Sequence, residues 1–374
     1  MADQKKMLAL DGGGILGAIS VQVLRALEDQ LREAHGGDPD FRLRDYFDYV
    51  AGTSTGAVLA AGIAVGKSAE ELHEFYLRDG VQMFQKESLL KRWRHTYKHA
   101  PLTEILKREF HGKTLAQLQD MGILSSDKHL LIVTRNIETD SPWPISTNPK
   151  ARYNDRSRPD CNLNIPLWQL VRASTAAPTY FAPEFIQWDP NDPDKHWYFE
   201  DGGVTPYNSP AMLMYRMATL PQYNCNWEDG EDKMMIVSIG TGNAYRELKN
   251  PNPGGEGLLA TASSIPSELL RGMATENDIA CRTIGRCVAG PWIDSELGDM
   301  IPTEAVSPRR FLYARYDFET SQKSLAKAGM GDIDTADLTM DNVAAVEDMI
   351  RVGKAAAQAV DLRAQFPGFL PGAS

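Results

Sequence analysis

The feature that most constrains this chain is the stretch Gly-Thr-Ser-Thr-Gly from Gly52 to Gly56. It lies between the apolar run 47–51, which predicts a short buried strand, and the alanine-rich run 57–64, which predicts a helix. A serine at such a junction is typical of a nucleophile elbow, where bulky residues two positions before or after the serine would clash. The stretch therefore predicts a strand–turn–helix unit that holds the Ser54 hydroxyl at the tip of the strand, beside a helix N-terminus that favours negative charge.

A second glycine-rich turn follows the predicted strand Met7–Asp11. Its glycines are Gly12, Gly13, Gly14 and Gly17, and a helix with one apolar face comes next. Three successive glycines leave backbone N–H groups uncovered, and such a loop beside a helix N-terminus can hold an anion. If Ser54 attacks a carbonyl group, the N–H groups of Gly13 and Gly14, aided by that of Thr55, would stabilise the resulting oxyanion.

The same glycines satisfy the dinucleotide-binding fingerprint G-x-G-x-x-G between a strand and a helix. A dinucleotide-binding fold also requires a second strand that ends in an acidic residue about 20 residues later, to bind the ribose. The region 34–40 instead has the composition of a loop, so that Asp38 has the right charge in the wrong setting. An oxyanion loop is favoured, and the alternatives are a dinucleotide-binding oxidoreductase and a strand–helix turn that binds nothing.

The third feature is an acidic residue at the end of the predicted strand 196–199. The strand runs into Glu200, Asp201, Gly202 and Gly203. Ligands of open α/β sheets bind at the carboxyl ends of strands, where Asp11, Ser54 and Asp201 are all expected. No histidine follows Asp201, and His196 would lie roughly 16 Å from it along an extended strand. A Ser-His-Asp triad is therefore not expected, and Asp201, with a pKa raised by partial burial, is the best-placed base for Ser54.

Composition excludes several classes of protein. Lys and Arg number 39 against 50 Asp and Glu, and the net charge of −11 argues against a protein that coats a nucleic-acid polymer. The cysteines show no metal-binding spacing, so we expect free thiols and no metal. No apolar run is long enough to span a bilayer or to serve as a signal-peptide core, which predicts a cytoplasmic protein. The four cysteines are Cys161, Cys225, Cys281 and Cys287.

The remaining elements follow from periodicity and turn residues. Helical patterns cover 70–77, the residues from Pro101 onward, 114–121, 167–178, 210–218, 268–287 and 341–364. Apolar runs predict strands at 129–134, 234–239 and 310–316, whereas 141–166, 183–193 and 250–257 are predicted loops. The basic and aromatic run 91–99 predicts either peripheral contact with an anionic membrane surface or only a solvated face. Because Ser54 and Asp201 must meet, we expect one α/β domain over 1–374.

Taken together, the motifs Asp11–Gly17, Gly52–Gly56 and Asp201–Gly203 resemble the three signatures of the patatin-like phospholipases, and 173–181 resembles a further block of that family. The resemblance covers roughly 7–242, with 243–374 as a C-terminal strand and helical elaboration. It implies a three-layer α/β/α sandwich with a mostly parallel central sheet. It also implies hydrolysis of fatty-acyl esters of phospholipids or related lipids, without metal or cofactor.

Carried onto this chain, the resemblance makes Ser54 the nucleophile, Asp201 the general base and Gly12, Gly13 and Gly14 the oxyanion loop. One position departs from the family: Leu16 stands where an Arg or Lys is usual, which removes a positive charge near the oxyanion loop. Some bacterial members similar to this chain in size are antiviral-defence effectors switched on by a cyclic nucleotide, and the motifs leave such an activator open. A non-catalytic lipid-binding or storage protein is a further alternative, and the oligomeric state is not determined.

Overall fold

The computed structural model describes residues 4–83, 97, 99–178, 180–189, 191–242, 258–301 and 306–372. Within them a nine-stranded mixed sheet forms the centre of the fold, in the order β5-β6-β3-β2-β1-β7-β9-β8, with β4 also paired to β3. The strands are β1 Lys5–Leu10, β2 Tyr49–Thr53, β3 His129–Asn136, β4 Ser141–Ser146, β5 Glu184–Gln187, β6 His196–Asp201, β7 Met234–Ile239, β8 Arg286–Ala289 and β9 Leu312–Tyr316.

The central strands are parallel. β1 pairs in parallel with β2 and β7, and the parallel pairing continues outward to β3 on one side and to β9 and β8 on the other. Strands β4, β5 and β6 are antiparallel. Every residue of β7 is buried, as expected of a parallel strand that is covered on both faces. The predicted mixed, mostly parallel sheet is confirmed.

Helices cover both faces of the sheet. Along β1, Leu8 and Leu10 point into a core shared with α1, α3, α4, α7 and α11, whereas Met7 and Ala9 point into a core shared with α8 and α9. This alternation makes the fold a three-layer α/β/α sandwich. The helices are α1 Gly17–Ala34, α2 Leu43–Tyr46, α3 Thr55–Ala64, α4 Ala69–Met83, α5 His99–Glu109, α6 Leu115–Asp120, α7 Leu167–Ser174, α8 Ala211–Thr219, α9 Leu258–Ile284, α10 Gln322–Lys327, α11 Val346–Ala357 and α12 Leu362–Gln365.

Two predicted loops contain strands. The range 141–166 includes β4, which carries two prolines that the sheet tolerates because β4 pairs only with β3 and therefore has a free edge. The range 183–193 includes the four-residue strand β5, whose alternating buried and exposed residues are too few to give a clear period. Both are edge strands, and the prolines of β4 and the four-residue length of β5 explain why each range was predicted to be a loop.

Three predicted helices have other bounds. The range 167–178 was expected to be helical, but α7 ends at Ser174, and the carbonyl of Ala176 accepts the N–H of Asp201 in β6 instead of a helical partner. The range 268–287 was expected to be helical throughout, but α9 ends at Ile284 and Cys287 lies in β8. The N–H of Gly285 donates to the carbonyl of Cys281 and closes the helix. The range 341–364 contains α11 only over 346–357, with short turns on either side and α12 after it.

The predicted loop 250–257, the basic run 91–99, the cysteines and the absence of a membrane span remain to be compared with the structure. The predicted loop 250–257 and most of the basic run 91–99 lie outside the described residues. Tyr97 is described, and it is buried rather than exposed to a membrane surface: its hydroxyl donates to the Asp341 carboxylate at 2.6 Å.

All four cysteines are free, as predicted. Within the described ranges, no helix combines the length and the apolar character needed to cross a membrane.

Gly56 offers a test of how tightly the elbow packs on the sheet. A Cβ atom at Gly56 would lie 2.1 Å from the carbonyl oxygen of Leu10, which is backbone and cannot move away. We expect Gly56→Ala to lower the free energy of unfolding by about 2 kcal/mol or more. The measurement is equilibrium urea unfolding.

The matched control is Gly272→Ala, in α9, where nothing lies within 4 Å of the added atom. This substitution should leave stability unchanged or raise it by up to about 1 kcal/mol, because alanine is the better helix former. Equal stabilities for the two variants would contradict the tight packing of the elbow.

Candidate active site

Ser54 and Asp201 meet because two strands share one edge of β3. β4 pairs with residues 131–136 of β3 and occupies one edge along that whole length. β2 pairs with 129–133 and β6 pairs with 134–136, so that both must use the opposite edge, because a strand has only two. β2 ends opposite Val133, where the chain turns away at the elbow, and β6 pairs with the next three residues of β3 along the same edge.

The registers put the two candidate residues at the same height. Thr53, the last residue of β2, lies opposite Val133, and Asp201, the last residue of β6, lies opposite Thr134. β2 is parallel to β3 and β6 is antiparallel to it, so the carboxyl ends of β2 and β6 point towards one another. The two strands approach one another end to end, and Ser54 and Asp201 occupy the junction.

The turn at Ser54 is strained. Ser54 has φ 55° and ψ −122°, a conformation that a residue with a side chain rarely adopts. A Cβ atom at Gly52 would lie 2.0 Å from the carbonyl oxygen of Gly56, and one at Gly56 would lie 2.1 Å from that of Leu10, so neither position can carry a side chain. The surrounding contacts must therefore hold the turn in place.

One segment, 174–176, holds both candidate residues. The N–H of Ser54 donates to the Ser174 hydroxyl at 2.9 Å, and that hydroxyl donates to the carbonyl of Val133 at 2.7 Å. Two residues later, the carbonyl of Ala176 accepts the N–H of Asp201 at 3.1 Å. The segment begins at Ser174, the last residue of α7, and belongs to the block 173–181 that resembles a family motif.

Asp201 is a buried carboxylate, and burial raises its pKa to about 7. Three interactions oppose this effect: a hydrogen bond from the Ser54 hydroxyl, the N–H of Gly203 at 2.7 Å, and the positive charge of Arg172. A base with a pKa near neutrality is half ionised at pH 7 and can accept a proton readily. The structure thus brings Ser54 and Asp201 together in a form suited to proton transfer.

The glycine loop lies across the mouth of the elbow. The N–H of Gly12 donates to the carbonyl of Asn208 at 3.1 Å and is therefore not available to an anion, contrary to expectation. No acceptor among the described residues takes the N–H of Gly13 or Gly14, and the N–H of Thr55 lies in the first turn of α3, where a helix has no internal acceptor. These three N–H groups remain as candidates for an oxyanion hole.

Close packing explains the glycines of this loop. A Cβ atom at Gly13 would lie 2.4 Å from the Thr241 hydroxyl oxygen, and one at Gly14, which has φ +59°, would lie 2.2 Å from the carbonyl oxygen of Met340. Two further motif glycines are equally crowded. Gly17 faces the Tyr76 and Thr55 hydroxyls, and Gly202 faces the carbonyl of Val133.

A buried arginine, which no sequence motif indicated, holds the residue that precedes the glycine loop. Arg315, on β9, donates to the carboxylates of Asp11 and Asp317 at 2.7 Å each and to the Ser238 hydroxyl at 2.9 Å. Asp11 directly precedes Gly12, so the ion pair joins the start of the glycine loop to the neighbouring strands. Arg315 and Asp11 are far apart in the sequence, and no sequence pattern predicted that they would pair.

A cavity of about 1160 Å³ contains the whole constellation. Ser54 and Asp201 are among its lining residues, together with Gly12, Gly13, Gly14 and Thr55. The deep part of its apolar lining includes the buried side chains of Val58, Phe75, Met83 and Leu102, with Leu16 beside them. Val204 and Trp292 line the cavity and are exposed, so they mark its opening, with Leu270 nearby. The volume and the apolar walls suit a large, mostly apolar ligand.

No histidine lines this cavity among the described residues. His196 begins β6, at the opposite end of the strand from Asp201, and its Nδ1 is 3.0 Å from the carbonyl oxygen of Pro193. Asp38, the acidic residue weighed for a ribose, is exposed in the loop between α1 and α2. Neither residue lines the cavity that contains Ser54.

Comparison with known proteins decides the family. Residues 8–215, more than half of the chain, match the family model described as patatin-like phospholipase. The chain belongs to the patatin-like phospholipase family.

Its relatives include plant, bacterial and mammalian proteins. The chain is 28% identical to Patatin-17 of Solanum cardiophyllum over 65% of its own length, and spans 61% of that protein. It is 27% identical to a cGAMP-activated phospholipase of Vibrio cholerae over 82% of its length and 85% of the relative. It is 31% identical to the 85/88 kDa calcium-independent phospholipase A2 of Rattus norvegicus over 65% of its length but only 28% of the relative. Among solved structures, VipD from Legionella pneumophila covers 93% of the chain with a TM-score of 0.38 and 12% identity.

Within this patatin-like site, Arg172 is a residue that sequence reasoning missed. It lies in α7 with its side chain fully buried, and its guanidinium is 5.1 Å from the centre of the Phe181 ring. Burial lowers its pKa to about 10, although the nearby carboxylates of Glu184 and Asp201 favour the charged form. Its Nε and Nη1 have no hydrogen-bond partner in the described part of the chain. A single charged residue in a helix whose other residues are uncharged was the signal that could have found it.

The contacts of Ser174 predict a role in holding the strained turn. In Ser174→Ala the N–H of Ser54 loses its acceptor, and we expect the reaction of Ser54 with a fluorophosphonate probe to slow by about tenfold or more. The measurement is the second-order labelling rate of the folded protein.

Ser146→Ala is the matched control for this prediction. Ser146 is buried and accepts hydrogen bonds from the Tyr49 hydroxyl and the N–H of Asn148, but it does not touch the elbow. The control should lose stability and keep the labelling rate. Equal labelling rates for wild type and Ser174→Ala would contradict the proposed support of the turn.

The raised pKa of Asp201 predicts a pH dependence. The ionised carboxylate accepts the serine proton, so labelling of Ser54 should rise with pH, with a midpoint near pH 7. Arg172→Met should move the midpoint to higher pH, because it removes a positive charge that favours the ionised form. A flat profile between pH 5 and pH 9 would show that Asp201 does not act as the base.

Proposed function

We propose that this chain is a lipid acyl hydrolase of the phospholipase A type that uses Ser54 as nucleophile and Asp201 as general base. The observation that carries the proposal is the junction of the strained Ser54 turn with a buried carboxylate whose pKa is about 7. The junction opens into a cavity with apolar walls and uncommitted N–H groups. Family membership supports the assignment of these roles.

In the first half of the reaction, Asp201 accepts the hydroxyl proton of Ser54 as Oγ attacks the ester carbonyl carbon. The N–H groups of Gly13, Gly14 and Thr55 stabilise the negative oxygen of the tetrahedral intermediate. The carbon–oxygen bond to the alcohol then breaks, and Asp201 returns the proton to the leaving alkoxide. The products are an acyl-serine and a lysolipid or other alcohol.

In the second half, Asp201 takes a proton from water, and the resulting hydroxide attacks the acyl carbon. The same N–H groups stabilise the second tetrahedral intermediate. When it collapses, the fatty acid leaves and Ser54 recovers its proton from Asp201. The cycle needs neither a metal nor a cofactor.

The substrate class follows from the cavity and the relatives. The deep apolar side of the cavity would hold a fatty-acyl chain, and relatives include proteins named phospholipases in a rat and in Vibrio cholerae. Phospholipids of a membrane are the substrates we propose, reached by peripheral contact from the cytoplasm. Leu16 lines the cavity where other family members carry a positive charge, so the proposal does not require an anionic phosphate to bind at that position.

The decisive experiment measures fatty-acid release from mixed phospholipid vesicles by wild type and Ser54→Ala. We expect release by the wild type and a loss of at least about 10³-fold in the variant, because the nucleophile is removed. His196→Ala should keep wild-type activity, since His196 lies outside the cavity. Loss of activity in the histidine variant, with the fold intact, would overturn the serine–aspartate dyad.

The release assay also tests regulation, and two binding measurements on the same protein test the alternative functions. A panel of cyclic nucleotides is included because one relative is named a cGAMP-activated phospholipase. Release only in the presence of one nucleotide would make the protein a regulated effector of the antiviral type, whereas release without any nucleotide would make it constitutive. Vesicle binding without release from a folded protein would favour a lipid-binding or storage protein. Thermal stabilisation by a nicotinamide dinucleotide would favour the oxidoreductase.

A further inference from the structure

Exposed apolar side chains lie at the opening of the cavity, on the adjoining part of α9 and on the loop that carries Trp292. We call Val204, Leu269, Trp292, Leu297 and Ile301 the mouth patch. Each of these large apolar side chains is exposed, and Trp292 is the most exposed at 64%. Single exposed apolar residues are ordinary on protein surfaces, but a group of them around a cavity marks an interaction site.

Contacts show that the mouth patch is continuous with the candidate active site. Val204 and Trp292 line the same cavity as Ser54, and so does Leu270, the neighbour of Leu269. A Cβ atom at Gly203 would lie 3.4 Å from Leu270, which places the turn after Asp201 against α9. A Cβ atom at Gly298 would lie 3.5 Å from the Trp292 ring, so the loop folds back beside Trp292 at the residue that follows Leu297.

The loop that carries Trp292 is firmly anchored. Arg282, fully buried in α9, donates Nη1 to the carbonyls of Pro291 at 3.0 Å and Asp299 at 2.7 Å, and pairs with Asp278 through Nε and Nη2. The N–H of Ile293 also donates to the carbonyl of Gly298 at 2.8 Å. These hydrogen bonds fix the loop with the Trp292 indole exposed to water. A loop without them could fold so that the indole is buried.

The charges beside the patch indicate what it contacts. Asp294, Glu296 and Asp299 lie on the same loop as Trp292, and the whole chain carries a net charge of −11. These acids would repel an anionic surface within the screening distance of salt. Apolar side chains with an exposed indole instead match the interface of a neutral bilayer, where tryptophan places its ring at headgroup depth.

We propose that the mouth patch inserts into the surface of a zwitterionic or neutral lipid layer and brings the cavity opening to the level of the ester bonds. This inference rests on the proposed function for the identity of the partner, because the cavity behind the patch is the one that would receive the acyl chain. It differs from the expected role of the basic run 91–99, which would favour an anionic surface. Insertion here depends on apolar area rather than on charge.

Binding is tested in the Ser54→Ala background, so that no hydrolysis changes the vesicles. The probe is a phosphatidylcholine vesicle with brominated acyl chains, which quenches tryptophan fluorescence on contact. We expect quenching in the presence of Trp292, its loss in Trp292→Phe, and its retention in Trp188→Phe, which removes a tryptophan that does not line the cavity. Replacing part of the phosphatidylcholine by phosphatidylglycerol should not strengthen binding.

Activity provides a second readout with residues that do not line the cavity. We expect Leu297→Ser with Ile301→Ser to lower hydrolysis of phosphatidylcholine vesicles by about tenfold and to leave hydrolysis of a soluble short-chain ester within about twofold. Met121→Ser is the matched control, because Met121 is also exposed but precedes β3 at the end of the sheet away from Ser54. That control should change neither rate.

Three results would overturn the inference. They are quenching that survives Trp292→Phe, binding that requires anionic lipid, and a dimer that dissociates in the Leu297/Ile301 variant, which would make the patch a contact between copies of the chain. Failure of the proposed function gives a different result. In that case quenching through Trp292 persists, while the wild-type protein releases no fatty acid from vesicles and hydrolyses no soluble ester.

Discussion

The site depends on a property of a single strand: β3 has two hydrogen-bonding edges, and three strands pair with it. β4 occupies one edge along residues 131–136, so β2 and β6 must share the other. This arrangement brings the end of β2 to the end of β6 and places Ser54 beside Asp201. The elbow, the Ser174 contact and the approach of Gly202 to Val133 all depend on that junction.

Burial at the junction has an energetic cost that the surrounding groups partly offset. Raising the pKa of Asp201 from 3.8 to about 7 means that ionising it in the folded protein costs roughly 4 kcal/mol more than in water. The folded state therefore holds a proton on Asp201 that the unfolded state has lost between about pH 4 and pH 7, and stability falls as pH rises through that range. The hydrogen bond from Gly203 and the charge of Arg172 limit this cost.

Much of the fold and part of the site could be predicted from local patterns. The elbow, the glycine loop and the buried strands β1, β3 and β7 follow from apolar runs and glycines that lie close together in the sequence. The edge strands β4 and β5 could not be predicted, because β4 carries two prolines and β5 has only four residues. The N–H of Gly12 was assigned to the oxyanion loop, but it donates to Asn208, a contact between residues almost 200 positions apart.

The order of amino acids alone is sufficient to indicate the family and to name Ser54 and Asp201, because glycine requirements and strand periodicity are local properties. The direction of β6, the support of Ser54 by Ser174, the contact of Arg315 with Asp11 and the mouth patch were decided only by the tertiary structure. Each of these depends on groups that are distant in sequence, and on which of two strand edges remains free. No local pattern records such a choice.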